Sequence, residues 1–223
     1  MAEKHLIIDF DSTLVQVEAL DELAAIALAR RPDGDAIVAE IARITELGMQ
    51  GKLPIDQSLQ RRIELLDAGR ADVAAVVALL KRRVTPSFRA NAAFFERHRE
   101  RIYIISNGFK DYIVPVVEEL AIDAAQVFAN TFIYDEDGRI VGYDHKNLLA
   151  QAGGKSKQLL ALGLVGEVYV LGDGYTDLQM TDTGRVTKFI AFTGNVSRPM
   201  VTERADHVVA SFDEFIRLGY FYD

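Results

Sequence analysis

Cysteine is absent from the 223 residues, which removes disulfides, thiolate nucleophiles and every cysteine-based zinc site. The absence fits the reducing cytoplasm, where we expect the chain to work. Histidine is scarce: the four residues are scattered and show no ligand spacing, so no histidine metal centre is expected. Positive charge is in deficit, with 25 Lys and Arg against 33 Asp and Glu, for a formal net charge of −8. That balance argues against nucleic acid and anionic membranes as partners. An anionic substrate must then be held by a local cluster of Lys or Arg, or by a metal. No apolar run approaches the length of a membrane span. Met1-Ala2-Glu3-Lys4 passes directly into an apolar stretch, which leaves no room for a signal peptide. Internal repeats and low-complexity segments are also missing.

What is present is an ordinary globular composition, 49% hydrophobic and 26% charged. The length suffices for one large or two small domains and a substantial core. The organising stretch is Leu6-Ile7-Ile8-Asp9-Phe10-Asp11-Ser12-Thr13. A short apolar run ending in polar residues predicts a buried strand of an α/β sheet. Ligands of such sheets sit beyond the carboxyl ends of the strands, which is where Asp9 and Asp11 fall. A strand-end carboxylate can attack phosphorus to form an acyl phosphate, and a second carboxyl can protonate the leaving oxygen and later deprotonate water. Bringing carboxylates to an anionic phosphate requires a cation, and hard oxygen ligands suit Mg²⁺. The plainer alternative is that the two acids shape a turn and cap the next segment.

Residues 17–83 read as helix upon helix, with helices predicted at 18–30, 35–48, 55–67 and 71–83 and Gly- or Pro-bearing breaks between them. Four helices set between α/β units predict an inserted bundle. In the third helix the apolar stripe is Ile55, Leu59, Ile63 and Leu66, and Arg62 falls in the middle of it. A guanidinium in an apolar seam needs a partner. Either it pairs within the bundle or snorkels past the rim, or it faces a cleft and grips a substrate carboxylate.

From Pro86 the α/β rhythm returns, with a helix predicted over 87–99 and a buried strand over 101–105 that ends at Ser106-Asn107-Gly108. Asn-Gly commonly marks a hairpin. The next segment, however, has helical spacing, with Phe109, Tyr112, Ile113, Val116, Val117 and Leu120 on its stripe, so Ser106 lies at a strand-to-helix junction suited to phosphate. Residues 128–134 and 139–143 read as a β-hairpin. Gly154-Lys155-Ser156 lacks the earlier glycine of a P-loop, since Leu149 stands there. Lys155 or Lys157 can still offer a point charge to a phosphate, although a surface lysine is the commoner fate, and Lys157 is read as one. A third strand over 167–171 runs into Gly172-Asp173-Gly174-Tyr175-Thr176-Asp177, a second acidic pair at a second strand end. Two short strands, 188–192 and 207–209, flank a helix near 197–204, and Tyr220-Phe221-Tyr222 is expected to pack on the core.

Asp9-x-Asp11-Ser-Thr13, a strand-end Ser106, Lys155 and Gly-Asp173-Gly-x-x-Asp177, in that order, resemble the haloacid dehalogenase superfamily of phosphohydrolases. Within it, Asp9-Phe-Asp11-Ser-Thr13-Leu-Val, Met49-Gln-Gly-Lys52-Leu53 and Ser106-x-Gly108-Phe109 are similar to the phosphoserine phosphatase family. The resemblance implies Asp9 as nucleophile and Asp11 as general acid/base. It implies Mg²⁺ on Asp9, the Asp11 carbonyl and Asp173, with Asp177 in support. Phosphate would fall to Ser106, Asn107, Gly108, Lys155 and Thr176, and the organic part of the substrate to Glu18, Met49 and Arg62. Asn107, Thr176 and Ile55 replace the Gly, Asn and cap aromatic usual in that family, and these departures bear on the substrate more than on the reaction. The expected fold is a doubly wound, mostly parallel α/β sheet (a Rossmann-like core, 1–16 and 85–223) with an inserted helical cap at 17–84 and a small β-hairpin. The expected function is hydrolysis of a small phosphomonoester, O-phosphoserine foremost. The alternative is a phosphatase or phosphotransferase acting on another small phosphorylated metabolite. A signalling receiver shares the acid, hydroxyl and Lys pattern but has about half the length and no inserted bundle.

Overall fold

The computed structural model describes residues 3–221. Strand β1 (Lys4–Ile8) ends at the acidic motif, and a tight loop leads to four helices, α1 (Ala19–Leu28), α2 (Gly34–Met49), α3 (Ile55–Leu65) and α4 (Arg70–Arg82). Short helices α5 (Pro86–Ala90) and α6 (Ala92–His98) return the chain to β2 (Ile102–Phe109) and α7 (Lys110–Val117). After β3 (Val127–Asn130) come β4 (Phe132–Tyr134) and β5 (Ile140–Tyr143), then α8 (Gly154–Leu162), β6 (Glu167–Gly172) and α9 (Tyr175–Leu178). The chain closes through β7 (Lys188–Phe192), α10 (Pro199–Thr202), β8 (His207–Val209) and α11 (Phe212–Arg217).

Six strands form one parallel sheet in the order β3-β2-β1-β6-β7-β8. Parallel strands are covered on both faces, and the side chains divide accordingly. Leu6, Ile8, Ile104, Leu171 and Ile190 join the apolar core of one face, while Ile7, Val168, Val170 and Phe189 join that of the other. From β1 the chain winds outward to β2 and β3, then crosses back to β6 on the opposite side of β1. The β1/β6 boundary is therefore the topological switch point, the place where a doubly wound sheet opens a crevice for ligand. Ile8 lies opposite Leu171 there, and Asp9 N–H donates to the Leu171 carbonyl at 3.0 Å. The acids that succeed both strands are delivered to one spot.

The four helices between residues 19 and 82 pack as a bundle, and its apolar interior is continuous with one face of the sheet: Leu23, Leu59 and Val76 share a core with Phe10 and Leu14. The two connections run side by side, with Gln16 N–H on the Arg83 carbonyl at 2.9 Å and Thr85 N–H on the Leu14 carbonyl at 2.9 Å.

Three elements differ from their sequence reading. The strand expected over 101–105 runs on through Ser106-Asn107-Gly108 to Phe109, with a register shift against β3. The helix expected over 87–99 breaks at Asn91, whose side-chain amide donates to the Ser87 carbonyl at 2.8 Å, a local bond that competes with helix continuation. The hairpin expected over 128–143 keeps only Phe132–Tyr134 as its first strand. The preceding Val127–Asn130 is the edge strand of the main sheet, parallel to β2. One apolar run thus serves two sheets, because strand periodicity cannot reveal which neighbour a strand will meet. Phe221 is buried, and Tyr222 lies outside the described residues.

Candidate active site

The loop after β1 shapes the first half of the site. Ser12 adopts a left-handed φ of 53°, a strained conformation for a residue with a Cβ. It is held by its N–H on the Val17 carbonyl at 3.1 Å and by its hydroxyl, which donates to Glu18 at 2.6 Å. The reversal leaves Asp9 and Asp11 adjacent, with different partners. Asp9 Oδ1 accepts from Phe10 N–H at 2.7 Å and from the Lys155 ammonium at 2.7 Å, while Oδ2 has no protein donor among the described residues. Asp11 Oδ1 accepts from Ala19 N–H, in the unsatisfied first turn of α1, at 2.7 Å.

The second half comes from β6 and α8. Carboxylate oxygens of Asp9, Asp173 and Asp177 lie within 4.8 Å of one another, all three side chains buried. Lys155 bridges this cluster, with its ammonium 2.8 Å from Asp177 Oδ1 as well as on Asp9. Asp173 accepts from the Thr13 hydroxyl at 2.8 Å and pairs with Arg198, whose second terminal nitrogen lies 3.7 Å from Glu46 on α2. Asp177 Oδ2 takes the Gly174 N–H at 3.1 Å.

So many buried carboxylates distort each other's titration. Burial, opposed by the Ala19 bond and reinforced by the Asp9 charge, raises Asp11 to about 7. Burial also raises Asp173 to about 6, against the pull of Arg198. Asp177 is pushed well up by burial and by Asp9, and Glu18 by burial and by Asp11. Burial works against the charge on Lys155, but Asp177 and Asp9 outweigh it and hold the ammonium ion firmly protonated. An excess of buried negative charge with converging oxygens is the donor set a hard divalent cation requires. Asp9, Asp173 and Asp177 therefore fit Mg²⁺, whereas the Asp11 carboxyl stands outside that cluster.

Asp11 faces a small cavity of about 10 Å³ shared with Asp9, Glu18, Met49, Arg62, Ser106 and Lys155. Arg62 is 5% exposed. Its Nη1 donates to the Thr45 hydroxyl at 3.2 Å and its Nε to the Ser58 carbonyl at 3.4 Å. Among the described residues no carboxylate lies within ion-pair distance of it, but the Thr45 hydroxyl in turn donates to Asp21 at 2.7 Å. Against the rise that burial causes, the guanidinium charge pulls down both Asp21 and Asp11. Ser106 Oγ accepts from Gly108 N–H at 2.9 Å, which bends the last residues of β2, where its register with β3 shifts, beside the acids. Asn107 borders the cavity but spends its amide on the Leu149 carbonyl at 2.8 Å, so it anchors that bend. Thr176 lines a neighbouring cleft between the turn after α2 and the start of α9, and its hydroxyl shares the surroundings of Gly174 with Met49 and Asp177. Lys157 is exposed and donates to Gln151.

A family model for haloacid dehalogenase-like hydrolases matches residues 6–182. The chain belongs to that family. This hydrolase is 28% identical to human phosphoserine phosphatase over 211 residues, covering 93% of this chain and 89% of the relative. It is 29% identical to the phosphoserine phosphatase of Methanocaldococcus jannaschii, with 95% and 94% covered. Its fold matches the crystal structure of a phosphoserine phosphohydrolase-like protein from Francisella tularensis with a TM-score of 0.87 and 29% identity, over 97% and 99% of the two chains. The hydrolase also has site residues that its sequence does not mark. Arg198, the counter-charge to Asp173, carries no signal beyond standing before Pro199. Tyr112 reads as one apolar member of a helical stripe, although its phenol is the only polar group on that stripe. Among the described residues no helix is long and apolar enough to cross a membrane.

Proposed function

We propose that this chain is a Mg²⁺-dependent phosphomonoesterase of the cytoplasm that hydrolyses O-phosphoserine through an aspartyl-phosphate on Asp9. The supporting observation is the pairing, in one cavity, of an Asp9 oxygen without protein donors among the described residues and an Asp11 carboxyl raised to about 7. In the first step Asp9 Oδ2 attacks phosphorus, the bond from phosphorus to the ester oxygen breaks, and Asp11 gives its proton to the departing oxygen. In the second step Asp11, now a carboxylate, takes a proton from water as that water attacks phosphorus. The bond to Asp9 breaks, phosphate leaves, and Asp11 is protonated again. Ser106, the Gly108 bend and Lys155 bind and orient the phosphoryl group. Asp9, the Asp11 carbonyl and Asp173, with Asp177 behind, would hold Mg²⁺, which would supply the positive charge that lets a carboxylate approach an anion.

O-phosphoserine is the substrate favoured by Arg62 and Glu18. A buried guanidinium with no carboxylate at ion-pair distance among the described residues suits the substrate carboxylate, and Glu18 suits the ammonium. The α1–α4 unit acts as the cap that brings both of them over the core. Phosphate release across a panel of phosphorylated metabolites tests this assignment. O-phosphoserine should exceed unrelated esters by at least roughly tenfold in kcat/KM, and equal turnover of all of them rejects it.

Two further outcomes arise from the charges. Because the first step needs protonated Asp11, kcat/KM should decline above about pH 7, by roughly tenfold per pH unit. Rates measured from pH 5 to 9 check this, and a profile flat to pH 9 excludes Asp11 as the acid. Mg²⁺ should also raise the melting temperature of the full chain. It binds the folded acid cluster and not the unfolded chain, and at about 100 times its Kd it stabilises by about 2.7 kcal/mol. Differential scanning with and without EDTA reads the shift.

A further inference from the structure

Tyr112 is fully buried, and its hydroxyl has no hydrogen-bond partner among the described residues. The ring is fixed among Phe10, Phe109 and Phe132, with centroids 6.1 to 6.3 Å away, so the phenol has little freedom to seek one. The Phe109 backbone acts on the phenol but makes no hydrogen bond with it, and an N–H there would in any case engage only a lone pair. No described residue accepts the phenolic proton. Buried hydroxyls are seldom left this way.

The hydroxyl is aimed at the cavity, which Tyr112 lines together with Asp11, Arg62 and Ser106. A carbon placed on Gly108 in the position of a Cβ would meet Tyr112 Oη at 2.8 Å, Asp11 Oδ2 at 3.1 Å and Ser106 Oγ at 3.1 Å. The phenol therefore reaches the place where the phosphoryl end of the site meets the leaving group. The charges acting most strongly on it are those of Asp11, Arg62 and Glu18, which belong to the leaving-group side. Burial and the Asp11 carboxylate keep it neutral, hence a donor.

We infer that the Tyr112 hydroxyl is a specificity determinant that donates a hydrogen bond to a carboxylate oxygen of the substrate's leaving group, beside Arg62. The inference rests on the phosphomonoesterase reading and narrows it. The substrates are phosphate esters of hydroxy acids that carry a carboxylate within reach of both groups, and esters of simple amino alcohols lack the acceptor. The phenol takes part in no proton transfer.

The test is Tyr112→Phe, which removes one unpaired oxygen and should leave the melting temperature equal or higher. KM is measured for O-phosphoserine and for O-phosphoethanolamine, together with the inhibition constant of inorganic phosphate. For O-phosphoserine, KM should rise roughly 10- to 100-fold with kcat little changed, the range for a hydrogen bond to a charged group. O-phosphoethanolamine and phosphate should be unaffected. A parallel weakening of phosphate inhibition overturns the inference by placing the hydroxyl on the phosphoryl group. If unaltered protein prefers O-phosphoserine and Tyr112→Phe keeps that preference, this inference alone fails. If unaltered protein shows no such preference, the substrate assignment fails as well.

Discussion

Asp9→Asn should abolish turnover, with kcat reduced by at least roughly 10⁴-fold, while leaving the protein folded and as stable as before, or more so. The first effect comes from chemistry. An amide oxygen is too poor a nucleophile to form an acyl phosphate, and removing a covalent nucleophile ranks among the largest single losses known in enzymes. The second comes from the charge distribution. Asp9 raises the titration of Asp11, Asp173 and Asp177, so its charge is a burden on the folded state. Asn keeps an oxygen that can still accept from Phe10 N–H and Lys155. Single-turnover kinetics and urea unfolding measure the two effects separately. Intact turnover would overturn the aspartyl-phosphate mechanism, and loss of activity together with loss of fold would assign Asp9 a structural part.

Lys155→Met should destabilise the protein by about 3–5 kcal/mol at pH 8, the usual result of stranding a buried charge. The Lys155 ammonium is the shared partner of Asp9 Oδ1 and Asp177 Oδ1, and all three side chains are buried. The deficit should depend on pH in one direction. Asp177 already titrates well above the ordinary carboxylate range in the folded protein, and losing the lysine raises it further. A carboxyl raised in this way binds more protons folded than unfolded, so stability increases as pH falls from its folded value toward about 4. The variant should therefore recover most of its loss by pH 5, and Mg²⁺ should offset part of it at pH 8. Denaturant midpoints at both pH values, with and without the metal, check this. A deficit independent of pH would show that packing of the lysine stem, not its charge, is what matters.

The reaction machinery is legible in the chain because it lies at strand ends. Apolar runs 6–8 and 167–171 announce buried strands, and parallel topology places the residues just beyond them at one edge of the sheet. That rule alone locates Asp9, Asp11 and Asp173. Arg62 is legible for a related reason: a charge inside an apolar helical stripe is conspicuous, and the structure buries it beside the acids. Other features depend on contacts between segments that are remote in sequence. Apart from the family resemblance, Lys155 reads as either a point charge for phosphate or a surface lysine, until Asp9, just after β1, and Asp177 on α9 supply its carboxylates. Val127–Asn130 and Phe132–Tyr134 form one uninterrupted pattern until the sheet edge claims the first and Ile140–Tyr143 the second. Thr176 sits within an acid motif but turns into the adjoining cleft.

Residue types, strand ends and order along the chain determined by themselves which groups would meet and what reaction they suit. Only the tertiary structure decided their protonation and partners. The position of Asp11 near 7, the grip of Arg198 on Asp173 and the Tyr112 hydroxyl, unclaimed among the described residues, arise from desolvation and from charges on distant elements. A linear pattern carries neither quantity, since burial and Coulomb energy depend on what surrounds a group and not on what precedes it.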